Sequence, residues 1–102
     1  MIARTWRGSA TTANAARYER HFTKSVAPHL KEIPGNRGAW LLRRDGDGRV
    51  EFQAVTLWDS IEAIKAFAGP RPELAMVEPE ARAVLLEFDD LATHYEVAYR
   101  AD

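Results

Sequence analysis

Residues 37–58, RGAWLLRRDGDGRVEFQAVTLW, set two runs rich in apolar and β-branched residues on either side of a double Asp-Gly. Asp-Gly tolerates the positive φ that a tight turn demands, so 37–44 and 50–58 are expected to pair as an antiparallel hairpin. Upstream, residues 2–7 alternate, with Ile2, Arg4 and Trp6 on one side and Ala3, Thr5 and Arg7 on the other, as in a short strand that Gly8 and Ser9 end. From Thr11 or Thr12, each a suitable N-cap, Ala15, Tyr18, Phe22, Val26, Leu30 and Ile33 recur at threes and fours and mark an amphipathic helix. Pro28 is expected to kink or break that helix near 24–27, because it lacks an N–H and its ring meets the preceding turn.

Downstream of the hairpin, Asp59 or Ser60 can cap a helix whose buried stripe is Ile61, Ile64 and Phe67, with Glu62 at a capping-box spacing. Gly69 and Pro70 stop it. Pro79 suits the first turn of another short helix reaching about Glu87, with Ala81, Val84, Leu85 and Phe88 turned inward, and 91–99 read as the last strand. The order strand, helix, strand, strand, helix, strand is the split βαβ pattern. It predicts an α+β, ferredoxin-like domain over 1–102, with a four-stranded antiparallel sheet and both helices on one face.

The remaining counts narrow the function. The 102 residues carry 14 Lys and Arg against 15 Asp and Glu, with no basic cluster, so a nucleic-acid partner is not expected. Without cysteine there is no disulfide, thiolate nucleophile or Cys-ligated zinc, which suits a cytoplasmic protein. No signal-peptide h-region and no long apolar run occurs, so neither export nor a membrane partner is expected. DGDG is a hairpin turn and not a phosphate cradle before a helix, so no nucleotide cofactor is implied.

Two helices can cover only one face of a four-stranded sheet, yet these strands are apolar on both sides. Trp40 and Leu42 oppose Ala39 and Leu41, Phe52 and Ala54 oppose Val55 and Leu57, and Leu91, Tyr95, Val97 and Tyr99 oppose Ala92 and Ala98. An uncovered face of that kind predicts a two-fold dimer packed sheet to sheet.

The hairpin leading into LWDSIEAIKAFAG, then AMVEPEARAVLLEFDD and THYEV, resembles the antibiotic biosynthesis monooxygenase-like group of the dimeric α+β barrel superfamily. That resemblance implies a homodimer in which each subunit holds a small-molecule cavity between sheet and helices. For chemistry it implies a range: cofactor-free oxygenases acting on polycyclic phenols, haem degraders, isomerases and dehydratases. The haem degraders need an axial histidine on the helices after Trp58, where this chain has none, so haem is not expected as a cofactor.

Among candidate site residues, His94 lies in the last strand and suits proton transfer near neutrality, with Glu96 on its face to orient it or, with a third ligand, to share a metal. A structural hydrogen bond or a place in the dimer seam is the plainer reading. Trp6, Trp40 and Trp58 could wall an aromatic pocket or offer an indole N–H, although such rings are commonly core. Tyr18 could hydrogen-bond a phenolic ligand, while Tyr95 points away from His94 by strand parity. Arg4 could steady an enolate or phenolate, against the plainer expectation of an edge salt bridge. His21 and His29 lack the three- or four-residue spacing of helical metal ligands and read as surface or helix-end residues, so no metal is expected. The function expected is a cofactor-independent monooxygenase-like enzyme acting on an apolar or aromatic molecule, with His94 catalytic and Trp58, Trp40, Trp6, Tyr18 and Arg4 contacting substrate. The alternatives are a non-catalytic binding or self-assembling dimer, or an isomerase or lyase on the same scaffold.

Overall fold

A computed structural model describes residues 1–101. The chain runs β1 (Ile2–Thr11), α1 (Thr12–His21), a π-helical turn (Phe22–Val26), α2 (Ala27–Lys31), β2 (Asn36–Asp45), β3 (Arg49–Trp58), α3 (Ile61–Ala68), α4 (Pro79–Val84), β4 (Glu87–Phe88) and β5 (Thr93–Glu96). The expected α+β, ferredoxin-like order is present. The antiparallel sheet runs β2-β3-β1, and β4 and β5 follow one another along the free edge of β1.

The hairpin forms in register, with Trp40 opposite Val55 and Asp45 opposite Val50. Gly48, at φ 69°, supplies the left-handed residue of its turn. Gly35, at φ 91°, is needed twice over, because a Cβ there would stand 2.6 Å from that of Ala63 where the approach to β2 crosses α3.

Several boundaries differ from expectation. β1 continues through Gly8 and Ser9 to Thr11, because Gly8 does not end the strand. It makes room for a ring: a Cβ at Gly8 would lie 3.0 Å from Trp6 Cη2. Pro28 does interrupt the first helix where expected, leaving a short second piece, but as a π-helical turn and not as a break in the helical course. The turn ahead of it widens, Ala27 N–H donating to Phe22 O across five residues, and the chain stays helical through Lys31. Thr11 caps α1 by accepting from Asn14 N–H at 3.2 Å, and Ser60 caps α3 by accepting from Ala63 N–H at 3.2 Å. With Ser60 as the cap, Glu62 falls one position short of a capping box. α4 ends at Val84, not Glu87, and the last strand is Thr93–Glu96, preceded by a separate Glu87–Phe88 strand. Between them Leu91 leaves β1 to bridge Leu74.

The helices all lie on one face of the sheet, which packs two separate hydrophobic clusters. Ala10, Ala15, Tyr18, Val50, Phe52, Ala81 and Val84 form one, and Leu30, Ile33, Trp58, Ile64 and Ala68 form the other. Each large side chain so buried contributes about 1.5–3 kcal/mol. The opposite face carries Ala3, Trp40, Leu42, Val55, Leu57 and Tyr95 toward one end, and Arg7 and Arg44 paired with Glu51 at the other. Trp40 is 49% exposed there, and no helix of the described residues covers that face. No described helix is long and apolar enough to cross a membrane.

Candidate functional site

Side-chain size along two strands creates a hollow. On the helix side of β3, Phe52 fills the first cluster and Trp58 the second, while Ala54 and Thr56 between them are small. In register on β1, Trp6 stands opposite Ala54 and Arg4 opposite Thr56. A cavity of about 60 Å³ opens over these middle positions. Tyr18, His21 and Phe22 of the first helix wall one side of it, Phe67 of α3 stands on the other, and Met76, Val77 and Glu78 border it ahead of α4.

Arg4 is the unusual member. It is 5% exposed, and among the described residues no carboxylate pairs with it. Its guanidinium donates to the carbonyls of Pro72 and Leu74, the latter at 3.0 Å, and its carbon lies 5.8 Å from the centre of the Phe67 ring. Burial pulls its pKa below the ordinary value, but a guanidinium keeps its proton in proteins. The edge salt bridge expected of Arg4 is therefore replaced by a buried cation with no counter-charge among the described residues, which is costly unless something anionic completes it.

His94 approaches Arg4 from behind, its Nε2 3.0 Å from Arg4 Nη1. A guanidinium can only donate, so Nε2 accepts and the imidazole proton resides on Nδ1. Desolvation first, then the charge of Arg4, hold the His94 pKa below its usual value, against a weaker opposing pull from Glu73. The unfolded imidazole titrates near about 6.5 and so binds a proton over a pH window in which the folded one refuses it; stability falls as pH drops through that window and is retained above it. Urea midpoints measured between about pH 7.5 and pH 5 should decline less for His94→Gln than for the parent, since Gln can still accept from Arg4. Equal declines would remove His94 from the account.

The expected site residues separate. Arg4, Trp6 and Tyr18 line the cavity. Trp58 is fully buried beside it in the second cluster and spends its indole N–H on Thr56 Oγ1 at 2.8 Å. Trp6 likewise donates to Asp89 O at 2.7 Å, so neither indole is free to hold a ligand carbonyl. Trp40 is on the opposite face of the sheet and cannot reach the cavity. His94 touches Arg4 but borders a shallow surface depression with Met1, Tyr95 and Glu96, not the cavity itself. His21, expected at the surface, lines the cavity with its side chain only 9% exposed. The small pair Ala54 and Thr56 was the available sequence signal for the hollow. Phe22 and Phe67, core positions by their spacing, also face it.

The tyrosine hydroxyl of Tyr18, a residue 4% exposed, finds no hydrogen-bond partner among the described residues. Burial, then the nearby charge of Glu78, push its pKa well above the usual phenol range, so it presents a neutral O–H donor to the cavity.

No family model and no curated protein matches this sequence. Solved structures do match, and the fold they share with this chain is that of antibiotic biosynthesis monooxygenase-like proteins. MhuD, a haem degrader from Mycobacterium tuberculosis solved with two haems in its active site, is 22% identical over 100% of each chain with a TM-score of 0.64. SnoaB, a cofactor-independent oxygenase from Streptomyces nogalater, is 23% identical over 97% of this chain and 94% of its own, with a TM-score of 0.65. The ActVA-Orf6 monooxygenase of Streptomyces coelicolor, in complex with nanaomycin D, is 13% identical over 98% and 89%, with a TM-score of 0.70. At these identities the likeness is one of fold.

Proposed function

We propose that this chain is a cofactor-independent monooxygenase-like enzyme, working as a homodimer, that takes an apolar aromatic molecule as its anion into the cavity between sheet and helices. The observation that carries this reading is Arg4: a buried cation with no carboxylate partner among the described residues, in a cavity wall shared with Trp6, Phe22 and Phe67. A phenolate or enolate oxygen against the guanidinium would supply the missing charge, and the fixed cation would favour ionisation of a bound phenol or enol. Tyr18 O–H can donate to a second oxygen. The substrate carbanion then reduces dioxygen; for an activated methylene, CH2 and O2 become C=O and water, the carbon supplying the electrons. His94 acts in this scheme as a positioning residue, holding the guanidinium from behind.

Size is the main demand on the reading. Ligand pockets usually span roughly 300–1,000 Å³, so a ring needs the mouth to open beyond the present 60 Å³. Met76, 51% exposed on a stretch without helix or strand, is the side chain best suited to swing away. The seat of His94, off the cavity wall, favours a second reading in which the protein binds the same anion without turnover. The exposed apolar end of the second sheet face, with Trp40, Leu42 and Tyr95, supports the homodimer in either case.

Oxygen uptake and Trp fluorescence against a panel of hydroxylated aromatics test both readings. Uptake above the no-protein rate is the expected result. Quenching without uptake would establish the binder, and neither signal would overturn the assignment of this cavity to aromatic anions.

A further inference from the structure

We propose that His21, Glu78 and Glu80 bind a divalent transition-metal ion of the zinc class at the mouth of the cavity. His21 ends α1, Glu78 caps α4 in an extended conformation, and Glu80 stands in the first turn of that helix. The three potential ligand atoms all lie within 4.8 Å of one another, and His21 Nε2 is 3.7 Å from Glu78 Oε1. Ligand atoms around a tetrahedral ion with bonds of about 2.1 Å sit roughly 3.4 Å apart, so the widest pair needs to contract by up to about 1.4 Å. Glu80 is exposed and can supply that movement by changing rotamer.

Proximity of acidic groups alone would mean little, and two further observations point to a ligand. The His21 imidazole is nine-tenths buried yet makes no hydrogen bond among the described residues, Glu78 Oε1 standing beyond hydrogen-bond reach at 3.7 Å. The Tyr18 hydroxyl in the same wall also makes no hydrogen bond among the described residues, and Glu78 is close enough to act on it electrostatically. A water molecule could satisfy the imidazole, but two carboxylates converging on one point repel each other and favour a cation. One imidazole with two carboxylates suits first-row divalent ions better than calcium, which takes six to eight oxygen ligands. Three protein ligands leave a position open, and here it would face the cavity. The inference does not depend on turnover, since the ligand set stands whether the cavity is catalytic or not.

Calorimetric titration of the full chain with zinc chloride should give one ion per chain with a Kd of about 10 μM or tighter. Cobalt(II) should develop visible d–d absorption and be displaced by zinc. His21→Ala should weaken zinc binding at least about tenfold. Glu80→Gln, a change at an exposed side chain that spares the fold, should weaken it by a similar factor, while His29→Ala and His94→Gln should leave it unchanged. Absence of binding by the parent, or zinc affinity that survives Glu80→Gln and His21→Ala, would overturn the site.

Discussion

Arg4→Met is expected to weaken binding of an aromatic phenolate or carboxylate by about a hundredfold, because losing one partner of a buried, hydrogen-bonded charge pair costs about 3 kcal/mol. A neutral ligand of the same shape should lose little, since the ring surfaces of Trp6, Phe22 and Phe67 remain. That contrast separates a binding role from a structural one. Arg4 also ties β1 to the carbonyls of Pro72 and Leu74, and freeing those carbonyls costs stability whatever enters the cavity. If Arg4 were only that strut, both ligands would weaken alike and the melting temperature would account for the change. Arg4→Lys keeps the charge but not the fork, and should fall between parent and Met variant for the anion. Paired titrations of the charged and neutral ligands followed by Trp fluorescence provide the measurement.

The second large effect belongs to the opposite face. Trp40→Glu should convert a dimer into a monomer at micromolar concentration, raising the dimer dissociation constant by about a thousandfold, because a two-fold interface carries every substitution twice. Trp40 stands across from Val55, with Leu42 further along its strand and Tyr95 across the sheet. The ionic end of that face, where Glu51 meets Arg7 and Arg44, would remain and could not hold the pair alone. Light scattering on parent and variant decides it: a monomeric parent, or a variant that still dimerises, would remove the homodimer from the proposal.

The parts of the fold that depend on local chemistry were legible in the sequence. Asp-Gly pairs set the hairpin, Thr11 and Ser60 are caps of the expected kind, and the apolar positions from Ala15 to Leu30 lie along the helical stretch, with Ile33 just beyond its end. What escaped depends on partners remote in sequence. Gly8 looks like a strand breaker until the Trp6 ring is seen lying against it. The break between Glu87–Phe88 and Thr93–Glu96 comes from Leu91 turning to Leu74, a pairing that alternation cannot announce. Large rings suggested pocket walls at Trp40 and Trp58, yet the hollow lies where rings are missing, over Ala54 and Thr56. His21 gives no metal signal in the sequence because its own helix offers no second ligand; the carboxylates beside it come from the far side of the hairpin.

The division of the interior into two greasy islands has a mechanical consequence. On β1 and β3 the ground between them is spanned by Arg4, Ala54 and Thr56. A guest lodged there would act as a keystone, converting two adjoining packings into one continuous core. Its occupancy would be registered as added resistance to unfolding, by an amount set by its concentration relative to its dissociation constant.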